Sequence, residues 1–182
     1  MKKILFLLVI FIFAFSTLSF ARGDIKETHV EIGAGIYVPD ETGMSSAPEI
    51  SIAYTFMVSD WVSSKAFISG YVLDPDKRYN EYDKLGTDFD TIPTLNIGAT
   101  VFSYFPLGLT VDSYSEAGAF LTYQDVEYTK AGATVSEEEF SVGGLIGVGV
   151  RIEKALKISV NYRVQASDVD DGGFSAALTL SF

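Results

Sequence analysis

Leu156-Lys157-Ile158-Ser159-Val160-Asn161-Tyr162-Arg163-Val164-Gln165-Ala166-Ser167 alternates without a break between apolar and polar residues. Side chains of an extended chain point by turns to two faces, so this spacing predicts a strand with one greasy and one polar face. Seven more stretches follow the rule. Val30, Ile32, Ala34, Ile36 and Val38 oppose Glu31, Gly33, Gly35 and Tyr37. Ile50, Ile52, Tyr54 and Phe56 oppose Ser51, Ala53 and Thr55, while Val62, Ala66, Ile68 and Val72 oppose Ser63, Lys65, Phe67, Ser69 and Tyr71. Leu95, Ile97, Ala99 and Val101 face away from Thr94, Asn96, Gly98, Thr100 and Phe102. Ala117, Ala119, Leu121 and Tyr123 face away from Glu116, Gly118, Phe120, Thr122 and Gln124. Phe140, Val142, Ile146, Val148 and Val150 oppose Ser141, Gly143, Gly147, Gly149 and Arg151, with Leu145 as the exception. The chain ends on Phe174, Ala176, Leu178, Leu180 and Phe182 against Ser175, Ala177, Thr179 and Ser181.

Alternation alone also suits a soluble sandwich, so the connections decide. They run long at Asp40–Ala47, short at Val58–Asp60, long at Leu73–Asp90 and short at Phe105–Gly108. They are long again at Asp125–Glu139, short at Glu153–Ala155, and of middle length at Asp168–Gly173. Long surface loops alternating with short periplasmic turns are the pattern of an outer-membrane barrel. The long side collects Asp74, Asp76, Asp83, Asp88, Asp90, Glu137, Glu138, Glu139, Asp168, Asp170 and Asp171, which makes the outer end acidic. Tyr123, Phe140 and Phe174 near the loops, with Phe56 and Phe182 near the turns, mark two aromatic girdles. The minority parity mixes charge with glycine, poor filler for a dry core but fair lining for a narrow wet lumen. The predicted fold is all-β: an eight-stranded antiparallel up-and-down transmembrane β-barrel.

Residues 1–21 read as a signal peptide and residues 22–182 as the barrel domain. Lys2 and Lys3 form a positive start, Ile4 to Phe15 an apolar run, and Ser19-Phe20-Ala21 a cleavage site ending at Ala21. The chain then belongs in the outer membrane of a diderm bacterium. Its composition excludes more than it offers. The absence of Cys removes disulfides, thiolate metal sites and thiol catalysis, and the single His removes most His-ligated metals. A net charge of −11 argues against nucleic acid as a partner. No cofactor and no catalytic residue is expected. Asp74-Pro75-Asp76 opens like a calcium loop, but Tyr79 and Leu85 stand where the required Gly and Glu belong. The glycines of Gly143–Gly149 lie on a strand with no helix after them, which rules out a phosphate-binding loop. His29 stands alone at the periplasmic end.

Gly35-Ile36-Tyr37-Val38-Pro39 after the first strand's core, Asp60-Trp61 at the first turn, Pro93-Thr94-Leu95 and Ala117-Gly118-Ala119 resemble small eight-stranded outer-membrane proteins, most closely the outer membrane protein W family. That resemblance implies a narrow, largely apolar lumen and passage of small apolar compounds. It also makes Phe182, with Leu180 and Leu178, similar to the C-terminal signal read by barrel-assembly machinery. Here the lumen parity departs by carrying Glu116 and Arg163 near mid-strand, expected to form an ion pair, with Glu31, Lys65, Arg151 and Lys157 as further lumen charges. The expected function is a narrow, porin-like conduit for small molecules. A surface-interaction or envelope-structural barrel without transport is the alternative. Outer-membrane lipid, the assembly machinery and possible small molecules are the expected partners.

Overall fold

The computed structural model describes residues 27–41, 43–75, 87–130, 132–167, 170 and 172–182. The signal-peptide reading, its cleavage after Ala21, most of the calcium-like loop, and Asp168 and Asp171 lie outside them. The strands are β1 (Glu27–Pro39), β2 (Ala47–Ser59), β3 (Val62–Leu73), β4 (Thr87–Phe89), β5 (Ile92–Pro106), β6 (Val111–Lys130), β7 (Ala133–Ile152), β8 (Leu156–Gln165) and β9 (Gly172–Ser181). β1, β2, β3, β5, β6, β7, β8 and β9 each pair antiparallel with their chain neighbours, and β1 pairs with β9. Eight strands therefore close into an up-and-down barrel, and closure satisfies every ladder group without an edge inside the lipid.

The parity read from sequence sets which face is which. Ile32, Ile36, Ile50, Ile52, Ile68, Ile97, Val101, Ile146, Val148, Val160, Leu178 and Leu180 are exposed on the outer wall, the position of lipid contacts. Glu31, Thr55, Ser69, Asn96, Thr122, Gln124 and Asn161 are buried inside. This inverts a soluble protein, as lipid-facing strands must. Aromatic pairs stand on the rims: Tyr123 with Phe140 and Tyr162 with Phe174 toward the loops, and Tyr54 with Phe56 toward the turns.

Two expectations need correction. Leu73–Asp90 is not wholly loop, because β4 inside it pairs with the outer end of β6, Thr87 opposite Lys130 and Phe89 opposite Tyr128. Asp125–Glu139, apart from its tip, is not a loop. β6 and β7 run on as a continuous hairpin whose ladder reaches Lys130 opposite Ala133. Above the lipid the pattern changes sign: Val126 and Tyr128 point inward while Asp125 and Glu127 point to water. That is the sense of a soluble sheet, and a search for lipid-facing apolar residues passes over it.

Candidate functional site

The interior is the place where function must be read, and it is filled in layers. At the outer mouth Tyr37, Ala47, Tyr71, Leu73, Ile92 and Val126 pack into an apolar stopper, with Met44 and Tyr128 against it. The Tyr37 and Tyr71 rings stack at 4.4 Å between centroids. Below lies a polar layer. Arg163 donates through Nη2 to Glu49 at 2.6 Å, and Ser175 donates to the other Glu49 oxygen at 2.7 Å. Thr122 bridges Asn96 and Gln165 at 2.7 and 3.0 Å. Asp170 turns back from its loop to accept a hydrogen bond from Tyr37 Oη at 2.8 Å, and is fully buried.

A second apolar layer, Ala53, Phe67, Phe120 and Leu145, crosses the middle of the bore. The Phe120 ring fits because the facing position has no side chain: a Cβ at Gly143 would lie 2.3 Å from Phe120 Cζ. The glycines of the lumen parity thus make room for rings on the next strand. Beneath come two inward ion pairs, the half-buried Lys65 with buried Glu116 at 2.8 Å and the fully buried Lys157 with Glu31. Both ammoniums also sit over the Phe102 ring, at 4.8 and 4.6 Å from its centroid, which adds a cation–π attraction. Phe102, Tyr104 and Tyr114 form the third apolar layer. At the periplasmic mouth Arg151 lies 3.8 Å over the Tyr104 ring and holds Asp112 Oδ2 through Nε and Nη2 at 3.0 and 2.7 Å.

Every charge named from sequence therefore points inside, but Glu116 and Arg163 do not pair with each other. Arg163 stands at the ladder position of Leu145, whose side chain also points into the bore. Each charge finds a nearer partner, Glu116 across β5 on β3 and Arg163 beyond β9 and β1 on β2. Glu49 and Asp112 were missed because they lie beyond the ends of the apolar runs. Extending the parity would have found both, since Glu49 shares the face of Ser51, and Asp112 that of Glu116. Asp170 reads from sequence as one more acidic loop residue and is instead part of the interior.

The voids are unequal. Between the polar layer and the lower ion pairs a cavity of about 50 Å³ is bordered by Arg163, Asn161 and Ser69. Arg163 Nε and Nη1, Asn161 Oδ1 and Ser69 Oγ have no protein partner among the described residues. At roughly 10–15 Å³ per water this volume suits a few water molecules that would hydrogen-bond them. At the periplasmic mouth a wider vestibule of about 470 Å³ is lined by Met57, Asp60, Trp61, Tyr104, Pro106, Leu109, Thr110, Asp112, Arg151, Glu153 and Lys154.

The model of a family described as outer membrane protein beta-barrel domain matches residues 7–182. No curated protein matches the chain. Among solved structures the fold is similar to Ail, the attachment invasion locus protein of Yersinia pestis, at 14% identity and a TM-score of 0.56, covering 85% of this chain and 97% of Ail. It is also similar to the N-terminal β-barrel domain of Pseudomonas aeruginosa OprF, at 14% identity and a TM-score of 0.51, covering 87% of this chain and 98% of that domain. These likenesses bear on fold alone.

Proposed function

The chain belongs to the outer membrane protein beta-barrel domain family, and from that premise we propose that this outer-membrane protein acts at the cell surface and as an envelope element, without catalysis and without an open path through its bore. The observation that carries the reading is the filled interior. Three apolar layers alternate with ion pairs, and the void between them has room for a few waters only. A solute would have to break buried ion pairs, and an unpaired charge in a confined space is costly.

The surface element of this reading is the β6–β7 hairpin. Among the described residues, β7 pairs with β8 only from Gly143 to Ile152, so Ala133–Ser141 has ladder partners on β6 alone. An exposed edge of this kind can accept an added strand. The attachment named for the Yersinia pestis barrel is a role that such an edge would suit here. The narrower kinship with the outer membrane protein W family is part of the proposal. It is supported by its motifs framing strand ends: Asp60-Trp61 forms the β2–β3 turn and Pro93 sits at the start of β5.

Planar-bilayer recording of the refolded protein tests the proposal. Insertion without conductance steps is the expected result. Stable open steps would overturn it and restore the conduit.

A further inference from the structure

The periplasmic vestibule is built more carefully than a pore ending requires. Arg151 is nearly fully buried, fixed by Asp112 below and the Tyr104 ring beside it, while among the described residues its Nη1 meets only the Met57 sulfur at 4.0 Å. Thioether sulfur is a weak acceptor, so that donor is poorly used. In the β7–β8 turn that directly follows Arg151, Glu153 and Lys154 both adopt left-handed backbone conformations, at φ 50° and 60°. Such turns favour Asn-Gly, and residues held in sparsely populated backbone regions gather at functional sites. Here they place two charged side chains along the vestibule wall. Trp61 and Leu109, 55% and 106% exposed, supply an apolar flank.

The charges select against charged ligands. An anion would meet Asp60, Asp112 and Glu153; a cation would meet Arg151 and Lys154. A neutral ligand that both donates and accepts hydrogen bonds is opposed by neither set. Hydroxyl groups do both. A ring whose C–H face can lie on the negative face of an indole, with hydroxyls and an amide at its edge, satisfies the apolar flank as well. A vestibule of about 470 Å³ falls within the ~300–1,000 Å³ usual for small-molecule sites.

We propose that the periplasmic vestibule of this barrel is a saccharide-binding site. Trp61 forms the stacking platform, Arg151 Nη1 donates to a ring or amide oxygen, and Asp60 and Glu153 accept from hydroxyls. The site does not depend on whether the bore conducts. Its ligand is an uncharged sugar ring, supplied either by a free oligosaccharide or by a strand of the cell-wall polymer on that side of the membrane.

Trp61 is the single Trp of the chain, so intrinsic fluorescence reports on the site directly. With the full-length barrel in nanodiscs, titration with N,N′,N″-triacetylchitotriose or maltotriose should shift the emission saturably and protect it from acrylamide. Leu109→Asp, at a fully exposed position, should weaken the response by about tenfold or more while the barrel still migrates anomalously on unheated gels. Arg151→Gln should do the same by about tenfold, the effect of losing ~1.4 kcal/mol of hydrogen bonding. Co-sedimentation with isolated wall sacculi that is lost in Leu109→Asp would assign the polymer as the source. A response to the soluble sugars without co-sedimentation would assign a free oligosaccharide. No shift with either sugar, or strong quenching of Trp61 by brominated lipid, would overturn the proposal, since the indole would then belong to the headgroup layer.

Discussion

At the scale of single residues, the interior follows one rule: among the described residues each inward cation has a carboxylate within reach. Lys65 has Glu116, Lys157 has Glu31, Arg163 has Glu49 and Arg151 has Asp112. Parity was enough to place Glu116 and Arg163 on the lumen face, because a period of two cannot mistake the face of a strand. It could not choose partners. That choice depends on strand tilt and on what else fills the bore, neither of which a one-dimensional pattern contains. The pairing has a direct test. Lys65→Met and Glu116→Gln should each destabilise the barrel by up to ~3–5 kcal/mol, less where water reaches the partly exposed Lys65, and the double variant should lose less than the sum. Glu116→Gln with Arg163→Gln should instead add within about 0.3–0.5 kcal/mol, as expected for groups without a shared partner. Chemical denaturation in lipid reads both cycles, and coupling in the second would contradict the geometry.

Two elements behave differently from what their sequences announce. The β6–β7 hairpin reads as a polar loop because outside the lipid its greasy side turns inward. Val126 and Tyr128 then face the stopper, while Asp125 and Glu127 take the water side. Trypsin added to intact cells should therefore cut after Lys130, at the hairpin tip, whereas a Glu-specific protease should spare Glu137 to Glu139 within the ladder. Rapid cleavage among those glutamates would return the segment to a loop. Tyr128 donates to Glu137 at 3.0 Å across the hairpin, and that hydrogen bond raises its pKa above the ordinary 10.0. A raised tyrosine stabilises the folded form while protonated, so this contact persists through neutral pH and is lost as pH climbs past the raised value. The protection of amides around Tyr128, measured relative to the base-catalysed exchange of the open chain, should then fall only as pH passes that raised value. β9 presents the opposite case, an element whose end was legible from its outward apolar residues. Phe182 exchanges backbone hydrogen bonds with Val30 at 2.9 and 3.1 Å, at the strand pair that closes the barrel. Its removal forfeits little ladder, so membrane levels in vivo should fall far more than stability in vitro if the ring is a recognition signal. Unchanged membrane levels would remove that role.

For the molecule as a whole, the alternation of loops and turns was sufficient to read a closed barrel, since no other fold needs that asymmetry and a one-faced apolar pattern together. Whether the barrel is hollow could not be read. The same parity that carries Gly143, Gly147 and Gly149 also carries Phe67, Phe102, Phe120 and Leu145, and only the three-dimensional fit puts the rings into the gaps that the glycines leave. The middle apolar layer is then the decisive part. Phe67→Ala, Phe120→Ala and Leu145→Ala together remove three side chains from a bore already lined by glycine at Gly98, Gly118 and Gly143. Each truncation costs ~2–5 kcal/mol in a packed interior, so the triple variant should unfold at lower denaturant. The closed hydrogen-bonded wall remains, and heat-modifiable migration on gels should be kept. Water would replace the rings and join the small cavity beside Arg163 to the space around Lys65 and Glu116. A Phe102→Ala change added to these would thin the third layer to Tyr104 and Tyr114, leaving the outer stopper of Tyr37, Tyr71, Leu73, Ile92 and Val126 as the largest remaining apolar barrier. Conductance should therefore stay absent in the triple and quadruple variants and appear only when Ile92→Ala and Leu73→Ala are combined with them. Steps already present in the triple variant would show that the middle layer alone closes the bore, and steps in none would mean that the paired charges suffice.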